Sequence, residues 1–130
     1  MNILVGYDGS HTGKEALRLG IRHTQAFGGR LFIIRSLGSG AAEDMEKIEK
    51  AQMDLSYAET LCRENRVFCD VRLLIRGMEP GEDIVMFANE NNIEEIIVGV
   101  KRRSRVGKII FGSTARYVIM EARCPVVTVK

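Results

Sequence analysis

With 130 residues, 45% of them hydrophobic and 28% charged, the chain has the makeup of one globular domain long enough to bury a real core. A net charge of +2 provides no global field for nucleic acid, so any basic contact has to be local. No apolar run reaches the ~18–20 residues of a membrane helix, and residues 1–7 lack the basic lead and cleavage site of a signal peptide, so a cytoplasmic location is expected.

Asn2 to Tyr7 is a short apolar β-type run, broken by Asp8-Gly9-Ser10. From Thr12 to about Phe27, Ala16, Leu17, Gly20, Ile21, Thr24 and Phe27 recur at helical spacing, and Gly28-Gly29 ends that helix. Leu31 to Leu37 is a second strand, broken by Gly38-Ser39-Gly40. A long polar helix is expected from about Ala41 to Asn65. Met45, Ile48, Gln52, Leu55, Ala58 and Cys62 mark its inner face. Val67 to Ile75 carries Asp70 and Arg72 and suits an edge strand. A short helix follows from Gly81 to Asn91, with Ile84, Phe87 and Ala88 facing inward. Ile93 to Val100 is the fourth strand. A long loop then leads to a helix over Ser113 to Ala122, with Ala115, Val118, Ile119 and Ala122 on one face. Pro125 to Lys130 is the last strand.

Strands alternating with helices predict a single Rossmann-like α/β domain over residues 1–130: a doubly wound five-stranded parallel sheet, order 3-2-1-4-5, with helices on both faces. Ligands of such sheets bind beyond the carboxyl ends of the strands, where the strand order reverses. That places Asp8, after strand 1, opposite Gly99 to Arg105, after strand 4.

The loop after strand 4 carries Lys101, Arg102, Arg103, Arg105 and Lys108 and ends on Gly112-Ser113-Thr114 before a helix. Unpaired N–H groups at a helix start attract phosphate, and small hydroxyl residues there can bond a phosphate oxygen or cap the helix. A solvated basic loop before a capped helix is an equal alternative. The loop lacks interleaved aromatics, which disfavours single-stranded nucleic acid. Asp8 can accept from an adenine amino group or a ribose hydroxyl, hold a metal, or serve plain turn chemistry with Ser10 as a cap; turn chemistry is favoured. His11-Thr12-Gly13-Lys14 resembles the H-x-G-H of nucleotidyltransferases but has Lys14 in place of the second histidine. His11 and His23 therefore read as surface or helix-face residues. No P-loop, dinucleotide fingerprint or Ser-His-Asp signature is present. Met78, Met86 and Met120 read as core filler. Cys62, Cys69 and Cys124 form no CxxC pair, read as reduced buried thiols, and lack zinc spacing.

Taken together, I-L-V-G-Y-D-G-S at the start, I-I-V-G, F-G-S-T and C-P-V-V-T-V resemble the universal stress protein family over essentially the whole chain. Nucleotide-binding members carry Gly, two residues, Gly, nine residues, Gly, then Ser or Thr. Gly99, Gly112 and Ser113 match that pattern, but Arg102 stands where the second glycine belongs. Either its guanidinium folds over the triphosphate as a bidentate contact, or it fills the pocket; the surrounding charge favours the first. The resemblance implies Gly6, Asp8 and Ser36 near the nucleoside, Val98 and Gly99 lining the site, and Gly112, Ser113 and Thr114 on phosphate. It further implies ATP, with or without Mg2+, as ligand and a homodimer through the C-terminal strand 125–130, whose edge would otherwise lie open. The expected role is an adenine-nucleotide-binding stress-response sensor or regulatory module. No catalytic residue is assigned, and at most slow ATP hydrolysis is expected, because no general base is placed by motif. The alternatives are a dimeric interaction scaffold with an empty site and, less favoured, a nucleotidyltransferase or ATP hydrolase. Neither a membrane nor nucleic acid is an expected partner.

Overall fold

A computed structural model describes residues 1–100, 102–103, 107 and 109–130, with backbone alone at 102, 103 and 109. The chain runs β1 (Asn2–Gly6), α1 (His11–Phe27), β2 (Arg30–Ser36), α2 (Met45–Glu64), β3 (Cys69–Leu74), α3 (Pro80–Glu90), β4 (Glu95–Gly99), β5 (Arg102–Arg103), β6 (Ile109–Ile110), α4 (Ser113–Glu121) and β7 (Val126–Val129). Five strands form a parallel sheet in the order β3-β2-β1-β4-β7. β7 is its fifth strand, so the expected order 3-2-1-4-5 is the order found.

β1 lies at the centre because it is apolar on both faces, and parallel strands covered by helices on both sides need that. Side-chain alternation divides it. Ile3 and Val5 enter one core with Leu17 and Ile21 of α1 and Leu55 and Ala58 of α2. Leu4 enters a second core with Ile84 and Phe87 of α3 and Val118 of α4. Gly20 brings α1 close to the sheet: a Cβ there would lie 2.6 Å from Val5 Cγ2. β3 takes the expected edge position beside β2.

Several local expectations change. The helix expected from Ala41 is a 3-10 turn over Ala41–Glu43 and then α2, because the Asp44 side chain accepts from Lys47 N at 3.2 Å and caps a new start. The inner stripe becomes Ala51, Leu55, Ala58 and Cys62, which leaves Met45 and Gln52 exposed. The loop after β4 contains an antiparallel ribbon, with Arg102 opposite Ile110 and Arg103 opposite Ile109; its arms are too short for periodicity to mark. Met86 and Met120 are 44% and 74% exposed, and Ile119 is exposed as well, so these are not core. On α4 the fully buried positions are Ala115 and Val118. Cys62 is buried as expected, whereas Cys69 and Cys124 are half-buried.

Candidate functional site

The carboxyl ends of β1, β2 and β4 open on one cleft. Gly6 and Asp8 line it from β1, Ile34 and Ser36 from β2, and Val98 and Gly99 from β4. Pro80 and Ile84 of α3 form one wall, and Gly112, Thr114 and Ala115 at the start of α4 form another. The tips of β1 and β4, far apart in sequence, thus meet as strand order predicts. Of the residues singled out in the sequence, Gly6, Asp8, Ser36, Val98, Gly99, Gly112 and Thr114 line the cleft, and Ser113 does not. Arg102 is described by its backbone in β5 alone. Lys101, Arg105 and Lys108 of the basic run lie outside the described residues. The cleft formed by the described residues holds about 70 Å³, well under the roughly 300–1,000 Å³ of ordinary small-molecule sites.

Two glycines set its shape. A Cβ on Gly6 would lie 2.8 Å from Ile84 Cδ1 and 3.2 Å from Val98 Cγ1, so β1 ends pressed against α3 and β4. A Cβ on Gly99 would lie 2.8 Å from both the backbone carbon and Oγ1 of Thr12. Backbone cannot move aside as a side chain can, so Gly99 is where β4 passes the first turn of α1.

Asp8 builds the turn between β1 and α1. Its Oδ1 accepts from Ser10 N at 3.0 Å and from Ser10 Oγ at 2.5 Å, and Ser10 Oγ accepts from Gly13 N at 3.0 Å. Turn chemistry and the Ser10 cap are therefore both realised. Gly9 between them sits at φ +78°, the left-handed region that glycine enters without penalty. The start of α4 differs: Gly112 is its N-cap and supplies no capping side chain. The first intrahelical bond described there is Arg116 N to Gly112 O at 3.0 Å, which leaves the N–H groups of Ser113, Thr114 and Ala115 ahead of it.

Ser36 is held by a buried polar network that sequence reasoning missed. Its hydroxyl donates to Asp83 Oδ2 at 2.7 Å. Asp83 is wholly buried and accepts at Oδ1 from Arg76 Nε at 2.6 Å, while Arg76 Nη1 donates to Glu90 at 3.0 Å. Because the Ser36 proton is committed to Asp83, the oxygen offers its lone pairs elsewhere, as an acceptor. The sequence does contain a signal for this network: Asp83 lies one turn before Phe87 and beside Ile84, an acid on the apolar stripe of α3.

Tyr7 and Arg35 also border the cleft, but alternation sends their side chains to the α1–α2 face. There Tyr7 packs into the core, and Arg35 Nη2 lies 3.9 Å from Asp54 of α2. Burial, reinforced by the Asp54 charge, pushes the Tyr7 phenol up to about 12. Its hydroxyl and Arg35 Nε are buried with no hydrogen-bond partner among the described residues. His11 is the exposed first residue of α1. His23 pairs Nδ1 with Glu95 Oε1 at 2.5 Å, at the amino end of β4 and thus at the end of the sheet away from the cleft. Among the described residues no cluster of three or more His, Cys, Asp or Glu is placed to hold a metal, and no helix is long and apolar enough to cross a membrane.

Comparison with known proteins agrees with this architecture. A universal stress protein of Thermus aquaticus is 29% identical over 98% of this chain and 97% of its own length. A universal stress protein structure from Archaeoglobus fulgidus superposes with a TM-score of 0.91 at 37% identity, covering 100% of this chain and 98% of the other. A universal stress protein structure from the same organism, in complex with dAMP, superposes at 0.86 with 33% identity over the same shares of the two chains. The universal stress protein family profile matches residues 1–130. With strand order, cleft and sequence in agreement, the chain belongs to the universal stress protein family.

Proposed function

We propose that the cleft binds an adenine mononucleotide, ATP first, with or without Mg2+, and that the protein works as a homodimeric cytoplasmic sensor or regulatory module of the stress response. The observation that carries this is the meeting of Gly6 and Asp8, Gly99, and the α4 start at Gly112 and Thr114 in one cleft, with no side chain capping α4 among the described residues. Uncapped N–H groups and the positive end of a helix suit phosphate. On this reading Asp8 and the acceptor oxygen of Ser36 face the nucleoside, and Val98 and Gly99 form the floor. The backbone of Gly112, Ser113 and Thr114 holds phosphate, and the Arg102 guanidinium reaches the triphosphate. The dAMP complex of the 33% identical Archaeoglobus fulgidus protein supports the ligand class. The dimer is proposed through residues 125–130, because among the described residues β7 is an edge strand paired with β4 alone.

A second reading, an interaction scaffold with an empty site, is favoured by the small volume of the cleft. Thermal unfolding with and without ATP separates the two. A ligand selective for the folded state at 100 times its Kd adds about 2.7 kcal/mol, roughly 10 °C for a chain of this length. A flat melting temperature at millimolar ATP with Mg2+ supports the scaffold. Pyrophosphate release in the presence of an acceptor supports a transferase. Sedimentation of the purified protein as a single chain overturns the dimer.

A further inference from the structure

The hydrogen bond between Ser36 and Asp83 has a direction. Ser36 ends β2 and lines the cleft, and its hydroxyl lies 2.7 Å from Asp83 Oδ2. Asp83, in the first turn of α3, is wholly buried. Its Oδ1 accepts from Arg76 Nε at 2.6 Å, and its backbone carbonyl accepts from Arg76 Nη2 at 3.4 Å. Arg76 is fixed in turn by Glu90, which accepts from Nη1 at 3.0 Å. A carboxylate paired with a guanidinium has no proton to give, so the proton between the two side chains comes from Ser36. Turning that proton toward the cleft would leave a buried carboxylate oxygen unpaired, which costs more than one new hydrogen bond gains. Toward the cleft the Ser36 oxygen therefore offers lone pairs. Its place in the cleft is also defined. β1 separates β2 from β4, and neighbouring strands lie ~4.8 Å apart, so the Ser36 end of the cleft is roughly 10 Å from the β4 tip. α3 packs against β2 and α4 against β7, on the far side of β4. A mononucleotide with its phosphate at the α4 start thus lays its base toward β2.

We propose that Ser36, its proton held by Asp83, selects a base with an exocyclic amino group, adenine, over one with a carbonyl on the same carbon, hypoxanthine. The selection presupposes the nucleotide site proposed for the cleft. The adenine amino group donates to the Ser36 oxygen. The hypoxanthine carbonyl sets an oxygen against that oxygen with no proton between them, and both lose the water they bonded before. A site that receives a donor in this way rejects an analogue lacking it far more strongly than shape alone can. Asp83 is a positioning residue: it acts through the direction of one proton on Ser36.

Calorimetric titration of the full chain with ATP and with inosine triphosphate, which carries a carbonyl in place of the amino group, tests this. Wild type should bind ATP roughly 10- to 100-fold more tightly, the range expected when a buried acceptor is left without its donor. Ser36→Ala keeps Asp83 on Arg76 and should bring the two Kd values together. Asp83→Asn should reverse the polarity. Its amide oxygen still accepts from Arg76, so its NH2 donates to Ser36, and the Ser36 proton swings into the cleft. That variant should bind inosine triphosphate at least as tightly as ATP. A purely structural role of Asp83 would weaken both nucleotides alike and leave their ratio unchanged. Equal binding of the two by wild type, or the wild-type ratio in either variant, overturns the selection while the nucleotide site stands. Binding of neither nucleotide by wild type overturns the site itself and the selection with it. Should Asp83→Asn fail to fold, the ratios in wild type and Ser36→Ala still decide.

Discussion

Asp83 lies wholly inside the protein and joins Ser36 at the cleft to Arg76 on the approach to α3. Asp83→Ala removes the shared acceptor of two donors. Ser36, a residue 9% exposed, loses the partner of its hydroxyl, and Arg76 loses its buried counter-charge. Breaking a buried ion pair by deleting one partner costs about 3–5 kcal/mol, because the other charge stays uncompensated. Arg76 is 31% exposed along its side chain and keeps Glu90 at 3.0 Å, so part of its solvation survives and the lower figure applies. About 3 kcal/mol is a large part of the roughly 5–15 kcal/mol that holds a domain folded. At about 2.1 cal/mol/K per residue of unfolding entropy it lowers the melting temperature by roughly 10 °C. Urea titration of wild type and variant at pH 7 measures the loss directly, since the midpoint shifts while the slope stays constant. The double variant Asp83→Ala/Arg76→Ala should lose less than the sum of the two single variants, because it leaves no unpaired guanidinium. If Asp83→Ala unfolds at the wild-type midpoint, the network does not hold Ser36 and the account of that wall of the cleft is wrong.

Three further outcomes follow from the geometry. The Tyr7 phenol, pushed up to about 12, holds its proton more tightly in the folded chain than in the unfolded one, whose tyrosine titrates near 10. Stability from this group is therefore complete below about pH 10 and is lost as pH rises toward 12, by up to about 1.4 kcal/mol per pH unit. Tyr7→Phe should flatten that decline in denaturation series run from pH 9 upward, without loss at neutral pH, because it also removes a buried hydroxyl with no described partner. Gly99→Ala sets a Cβ 2.8 Å from Thr12 backbone and should cost about 1–3 kcal/mol in urea while abolishing the ATP-induced rise in melting temperature. Retention of both properties would mean that the two tips are not tightly apposed. Arg102→Ala should weaken ATP binding by calorimetry if the guanidinium grips phosphate, whereas tighter binding identifies Arg102 as a plug.

Much of the site is legible before any coordinates, residue by residue. Asp8 and Gly99 follow from strand ends and a break in the apolar run, and Gly112 and Thr114 follow from a helix start, whereas Gly6, Ser36 and Val98 are implied by the family resemblance alone. Pro80, Ile84 and Ala115 escape notice as cleft residues because they read as helix-start and core positions, and nothing local separates a core face from a wall. Asp83 escapes because one acid within an apolar stripe has no meaning until its partners are known, and those partners, Ser36 and Arg76, lie on other elements. Met86, Ile119 and Met120 are misread for a related reason. Helical periodicity reports which residues share a face but not how much of that face a neighbour covers.

The order of apolar runs and breaks along this chain, by itself, determines a parallel sheet with β1 at its centre. Strands apolar on both faces must be covered on both sides, and right-handed crossovers leave few ways to do so. The sequence motif likewise suffices for the family. Tertiary structure alone decides that Ser36 meets an aspartate from α3 and that Arg35 meets Asp54 of α2. These are distances between elements, set by how helices seat on a twisted sheet, and side-chain periodicity within one element carries no information about them.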